Sequence, residues 1–394
     1  MFRGNKNLIV VSIIMLINSL GYGIIIPIIY TYSIKFGLND FQNGLLFAIF
    51  SLCQFLATPV IGRLSDKYGR KPLLVLSLAG TAVSFFLAAF APNAIILFLA
   101  RALDGVTSGN IPVASAVISD TTKPKDRARG FGIIGASFGF GFVFGPAIAA
   151  LTLPFGINAP FIVAGIVTTV SVFVTMFFLS ETNQHIGQVR EGKLFDFKKL
   201  FTSITDKDVG MTLLISLIYA FAFALFIFAF QPFAVKSLDL SPNMISIIYT
   251  IYGVVGLIAQ AVILPRLVPK LGEKKMIVQS FFIITLSFAA IFFTETLPIF
   301  IGIAIIFGLA NAFINPLIQT LLSKETDEKS QGTVLGLNQS YISLGFIFGP
   351  IVGGALATIS IPLPFLLGSF LAFICLILAI KGLKTVYTHK ISEF

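Results

Sequence analysis

Apolar residues run along this chain in long unbroken stretches, each closed by a short polar segment, at 7–30, 41–61, 73–91, 94–117, 130–153, 157–179, 211–235, 243–264, 276–294, 297–322, 333–357 and 361–380. A helix needs about 20 apolar residues to cross the hydrocarbon core of a bilayer. None of the runs shows the ten-residue alternation of a membrane barrel strand. The pattern predicts an all-α integral membrane protein with twelve transmembrane helices. The first run is longer than a signal-peptide core and lacks a small-residue cleavage site followed by a soluble domain, so it reads as a span of the mature protein.

The pattern also repeats. GFVFGP at 141–146 returns as GFIFGP at 345–350, and GRLSDKYGRKPLLV at 62–75 returns as PRLVPKLGEKKMIV at 265–278. Pro112 matches Pro316, and Asp120 matches Lys324. One polar stretch, 180–210, separates six spans from six spans, with five basic and five acidic residues. The expected organisation is an N-terminal six-helix bundle at 1–180, a cytoplasmic linker at 181–210, and a C-terminal six-helix bundle at 211–394 ending in a short tail. Within the linker, LFDFKKLF at 194–201 reads either as a short amphipathic helix on the membrane surface or as part of a solvated connection. Two equivalent bundles facing each other can rock about a shared central site, the architecture of a transporter.

Composition fits this picture, with 56% hydrophobic and 11% charged residues. Of the 27 Lys and Arg residues, 24 fall in the N-terminus, the even-numbered loops and the tail, while Lys35 and Lys236 fall in odd-numbered loops and Arg101 within a span. This asymmetry predicts that both termini face the cytoplasm. The net charge of +10 reflects that bias and an anionic lipid surface rather than nucleic acid, since the basic residues are scattered over several loops. Cys53 and Cys375 fall inside spans and predict no disulfide. His185 and His389 fall in the linker and the tail, and no cluster has metal-ligand spacing. No cofactor or metal is expected. No Walker-type G-x-x-x-x-G-K-[ST] occurs, so ATP is not a direct energy source.

Inside the spans only Arg101 and Asp104 carry formal charge. They lie i, i+3 on the fourth span and therefore share a helix face. A charge at the bilayer centre costs about 2.5–3.5 kcal/mol on insertion scales, so such groups face a cavity or a partner. Their counterparts 204 residues on are Ile305 and Gly308, so the scaffold itself does not require them. Asp104 is expected to take up a proton: burial favours the neutral carboxyl, and Arg101 the charged one. The other reading is a local ion pair that helps packing. In the loop after span two, Gly62 and Gly69 permit a tight turn. There Asp66 is placed to meet a helix N-terminus. Its repeat counterpart is Pro269, so only one half carries this feature. Gly141, Gly145 and Pro146, copied as Gly345, Gly349 and Pro350, read as close-packing hinges rather than ligands. Polar residues within spans want partners or water. Asn18, Tyr22, Gln54, Asn110, Gln231, Tyr252, Gln260, Asn311, Asn315, Asn338 and Gln339 are the substrate-binding candidates, and Tyr249 and Gln319 belong to the same polar set.

These motifs resemble the major facilitator superfamily, in particular its twelve-span drug:proton antiporters such as the tetracycline-efflux proteins. The 62–71 loop is similar to that family's cytoplasmic signature. RALDGVTSGN at 101–110, followed by Ser119-Asp120, is similar to its fourth-span motif. Gly139–Pro146 is similar to its fifth-span antiporter motif, and Ser180-Glu181-Thr182 to the usual end of span six. The resemblance implies two pseudo-symmetric bundles, an arginine (Arg101) engaged in proton coupling, and a cytoplasmic gate formed by Gly62, Asp66, Gly69, Arg70 and Asp120. It further implies that Asp66 meets the start of span eleven near Gly332 and that Arg70 pairs with Asp120, contacts that would lock the inner side when the transporter is open outward. The place in span one where relatives often carry an acidic residue reads Asn18-Ser-Leu-Gly21-Tyr22-Gly23-Ile-Ile-Ile-Pro27. A strongly cationic substrate then has little to pair with beyond Asp104, and neutral, zwitterionic or weakly anionic apolar compounds are favoured.

The sequence thus predicts a secondary active transporter in a bacterial inner membrane that exports a small amphipathic, drug-like compound in exchange for protons. The alternative is a facilitator or symporter of a small metabolite such as a sugar or amino acid derivative. Expected partners are the substrate, protons and lipid, with no nucleic acid and with the chain working as a monomer. A channel would need a repeated ring of filter residues, and an enzyme a nucleophile–base pair or metal cluster in the spans. Neither pattern is present in the sequence.

Overall fold

The computed structural model describes residues 6–122, 127–184, 186–187, 197–327 and 330–383. His185, His389, the linker segment 188–196 and the tail from 384 onward lie outside the described residues. The helices are α1 (Lys6–Ile25), α2 (Ile29–Ile34), α3 (Asp40–Tyr68), α4 (Arg70–Ala89), α5 (Ala94–Thr107), α6 (Ile111–Thr121), α7 (Arg127–Thr152), α8 (Ala159–Phe178), α9 (Phe197–Ser203), α10 (Gly210–Lys236), α11 (Pro242–Ile258), α12 (Leu264–Leu271), α13 (Glu273–Phe292), α14 (Leu297–Lys324), α15 (Gln331–Ile359) and α16 (Leu363–Gly382). Among the described residues, eleven helical stretches are long and apolar enough to cross a membrane, and α7 takes the fifth place among twelve. Among the described residues there is no strand.

Three spans are not simple helices. The first breaks at 26–28, where Pro27 has no N–H to give to the preceding turn. The fourth breaks at 108–110 and restarts ahead of Pro112. The eighth carries a π-helical turn at Ala259–Ile263 between α11 and α12.

Packing repeats between the halves. In the first, α1 lies on α7 and α8, α4 on α8, and α3 on α5; in the second, α10 lies on α15 and α16, α13 on α16, and α11 on α14. The equivalent pairs α3–α15 and α7–α11 join the halves. Glycines make the close approaches possible. A Cβ on Gly145 would lie 2.4 Å from the Gly23 backbone, and one on Gly345 2.6 Å from Ala220. The copied glycines are therefore packing sites for α1 and α10, while Pro146 and Pro350 sit inside continuous helices.

The halves are fastened at the end of the bundle away from Lys6, which we call the far end. There Gly44 meets the Pro350 carbonyl, Gly354 meets that of Asp40, Asn243 donates to the Ala150 carbonyl at 2.7 Å, and Lys236 reaches both Asp40 carboxylate oxygens at 2.7 and 2.8 Å. Toward the other end, Cβ atoms on Gly332 and Gly336 of α15 would meet nothing within 4 Å.

Candidate functional site

Asn93 caps α5 by accepting from the Ile96 N–H, which fixes the start of the helix at the far end. Asp104 is the eleventh residue of α5, about 15 Å along the axis and half the depth of a hydrocarbon core. Arg101 Nη1 donates to Asp104 Oδ2 at 2.6 Å. The hydroxyl of Ser108, where α5 ends, donates to Asp104 Oδ1 at 3.1 Å. Arg101 and Asp104 are 6% and 4% exposed, so the pair is dry on the protein side. The guanidinium lies 4.4 Å from the centre of the Phe50 ring, a cation–π contact that strengthens where water is excluded. Gly105 lets α5 approach α3 this closely, since a Cβ there would fall 2.3 Å from the Phe50 carbonyl.

Arg101 opens onto a cavity between the two halves, walled by Tyr22, Ile25, Ile26, Ile29, Phe47, Phe50 and Ser51 from one half and by Ala224, Ile227, Phe346 and Pro350 from the other. Its water-accessible space is ≈ 20 Å³, enough for a water and too small for an organic substrate. Arg101 is the one charged residue in this lining. Its Nε–H is buried and unpartnered, and the walls around it are mostly apolar.

The break in span four gathers other candidates. Asn18 donates to Asn110 Oδ1 at 3.3 Å, and Gln54 to the Ser108 carbonyl at 3.2 Å. Tyr22 packs against Phe50 and Phe142. Gln231 is fully buried above the cavity, in contact with span one. Tyr252 lies within the second half against Phe226 and Phe307, its buried hydroxyl unpartnered. Asn311 accepts from the Tyr219 hydroxyl. Asn338 is buried with its Oδ1 unpartnered. Gln260, on the π-helical turn, is exposed, as are Asn315 and Gln339.

The loop after span two departs from expectation. Gly62 is inside α3, and the turn rests on Gly69 alone, at φ +104°. The carboxylate at the N-terminus of α4 is Glu181: it accepts from the Arg70 and Lys71 N–H groups at 2.9 and 3.1 Å, where the helix dipole favours negative charge. Asp66 pairs with Arg70 at 2.6 Å, within its own half. Arg70 also reaches Asp120 at 3.3 Å, as the resemblance implies. In the linker, Tyr341 of α15 donates to the Leu200 carbonyl and bonds Ser203 at 2.8 Å, so α9 is docked on the second half.

Sequence reasoning missed Phe50, Ser108, Tyr30, Asp40 and Lys236. Ser108 stands four residues after Asp104 and was findable from helix spacing. Tyr30 donates to Asp40 at 2.5 Å and Lys236 holds Asp40 from the other half; partners this far apart in sequence leave no local signal.

A family model described as Major Facilitator Superfamily matches residues 11–208 and 212–391. Multidrug resistance protein 2 of Bacillus subtilis (strain 168) is 29% identical over 382 residues, 94% of this chain and 92% of that protein. Tetracycline resistance protein, class H, of Pasteurella multocida is 28% identical over 400 residues, 98% of this chain and 97% of that protein. The crystal structure of the human organic anion transporter MFSD10 superposes with a TM-score of 0.71 at 20% identity, covering 95% of this chain and 99% of that one, which speaks to the fold.

Proposed function

We propose that this chain, which belongs to the Major Facilitator Superfamily, is a secondary active transporter that exports a small amphipathic compound by alternating access, driven by the return of protons. The observation that carries the reading is the buried Arg101–Asp104 pair at the cavity between the halves. The proton-loaded and proton-free forms of Asp104 differ by one full charge beside apolar walls. Such a difference favours one opening of the carrier over the other. The curated relatives named for multidrug and tetracycline resistance support export of drug-like molecules.

The cavity lining supports a substrate with an aromatic body and an acceptor oxygen, carbonyl or weakly acidic, on Arg101. A cationic substrate finds Asp104 already engaged by Arg101 and Ser108. We place the protein in a bacterial inner membrane with Lys6 on the cytoplasmic side, following the bias of Lys and Arg. The far end is then the outer end, and the state described here is closed to the outside. No enzymatic step belongs to this reading.

One observation favours a second reading. A proton on Asp104 leaves Arg101 as an unbalanced cation in the cavity, which would draw an acidic substrate in with the proton, as in a symporter. Purified protein in vesicles separates the two. With an acidic interior, antiport accumulates labelled tetracycline or quinolone inside. Symport accumulates an organic acid only when the interior is alkaline. Transport indifferent to the gradient rejects both.

A further inference from the structure

An unbroken helix through span one would have the Tyr30 N–H donate to the Ile26 carbonyl, four residues back. The break at 26–28 leaves that bond unmade. A single side chain from the other half takes its place. Tyr30 N donates to Gln231 Oε1 at 3.2 Å, and Gln231 Nε2 donates to the Ile26 carbonyl at 2.5 Å. One primary amide thus serves both orphaned groups, with Gln231 0% exposed. Ile26 and Gln231 each stand immediately before a proline, Pro27 and Pro232.

Two further facts place this contact in the transport path. Ile26, Ile29 and Ile227 line the central cavity, and the amide is bonded to the Ile26 carbonyl of that wall. Beside it, Lys236 and Tyr30 both hold Asp40, so the halves are fastened twice at one level. Buried backbone groups need partners. If the amide simply left, two would be orphaned. The outer end therefore opens at low cost only if span one makes its own bond from Tyr30 to Ile26 as Gln231 withdraws into the hydrated opening.

We propose that Gln231 is the outer-gate clasp of this carrier, a positioning residue that substitutes for a helical hydrogen bond of span one in the outward-closed state and yields to that bond when the outside opens. This rests on the alternating-access reading above, and the experiment separates the two. Spin labels replace Phe155 and Phe293, exposed at the outer ends of opposite halves, in a parent with Cys53 and Cys375 changed to alanine. A second labelled pair, at Tyr68 and Arg266, reports the inner ends.

Gln231→Leu keeps the size but offers no hydrogen bond. It should lower the ratio of short to long outer distances at least roughly tenfold, since it leaves both the Tyr30 N–H and the Ile26 carbonyl unpaired in the closed state. Pro27→Ala returns the missing N–H, favours a continuous span one, and should shift the same distance in the same direction. It serves alone if Gln231→Leu does not fold. Widening outside with narrowing inside upholds both the clasp and the carrier. Widening outside with the inner pair unmoved upholds the clasp and rejects alternating access. Outer distances like those of the parent overturn the clasp, whatever the inner pair does.

Discussion

Lys324 Nζ holds the Glu273 carboxylate at 2.6 Å, the counterpart of the Arg70–Asp120 pair with the signs exchanged. Glu273 stands 203 residues after Arg70, and Lys324 stands 204 after Asp120. The duplicated scaffold keeps an ion pair at this corner in each half and does not keep its polarity. Exchanging the charges within one pair should therefore be tolerated. Lys324→Glu alone puts two carboxylates together and should lower stability by about 1 kcal/mol, the scale of a partly exposed pair. Adding Glu273→Lys should restore it, as read by thermal unfolding in detergent.

Glu181 closes the N-terminus of α4 through two backbone N–H groups. Glu181→Ala should cost about 1–2 kcal/mol, the range of a lost helix cap with its dipole interaction. Gly69→Ala should also destabilise, because its φ of +104° disfavours a side chain and a Cβ would meet Glu181 Oε2 at 2.5 Å. Limited proteolysis at the loop after span two checks both.

The glycines of α7 differ in what surrounds them. A Cβ on Gly145 would strike the Gly23 backbone, whereas one on Gly139 would meet nothing within 4 Å. Gly145→Ala should lose about 1–3 kcal/mol as α1 and α7 are forced apart, and Gly139→Ala should leave the melting temperature unchanged. Equal effects would contradict the assignment of Gly145 to helix packing.

Arg101→Lys retains the positive charge but loses the planar group over Phe50 and the free Nε–H. The two cations are not equivalent at a stacked site. Transport of an acceptor-bearing substrate should show KM raised about tenfold, the size of one charged hydrogen bond. Flux measured against substrate concentration in vesicles tests this.

The spans, the repeat and the Arg101–Asp104 pair were legible because each rests on local pattern: apolar length, a recurring hexapeptide, and an i, i+3 spacing. The gate carboxylates were only partly so. Asp66 and Glu181 are both acids near a turn, and which of them meets α4 depends on where the chain leaves span six. Gln260, Asn315 and Gln339 were indistinguishable from Gln54 and Asn110, because nearly every neighbour in these spans is apolar and the period carries little contrast between faces. Gln231 was visible as a polar residue in a span. Its attachment to a broken bond in span one depends on the break at 26–28 meeting span seven across the halves, which no single window contains.

The central claim is that Asp104 links a proton to substrate movement. It is tested most directly by comparing the parent with Asp104→Asn in vesicles, measuring accumulation driven by an imposed pH gradient alongside exchange of labelled for unlabelled substrate at equal pH. The account predicts that the variant still exchanges substrate but no longer accumulates it against its gradient. Accumulation by Asp104→Asn at the parent's level would contradict it.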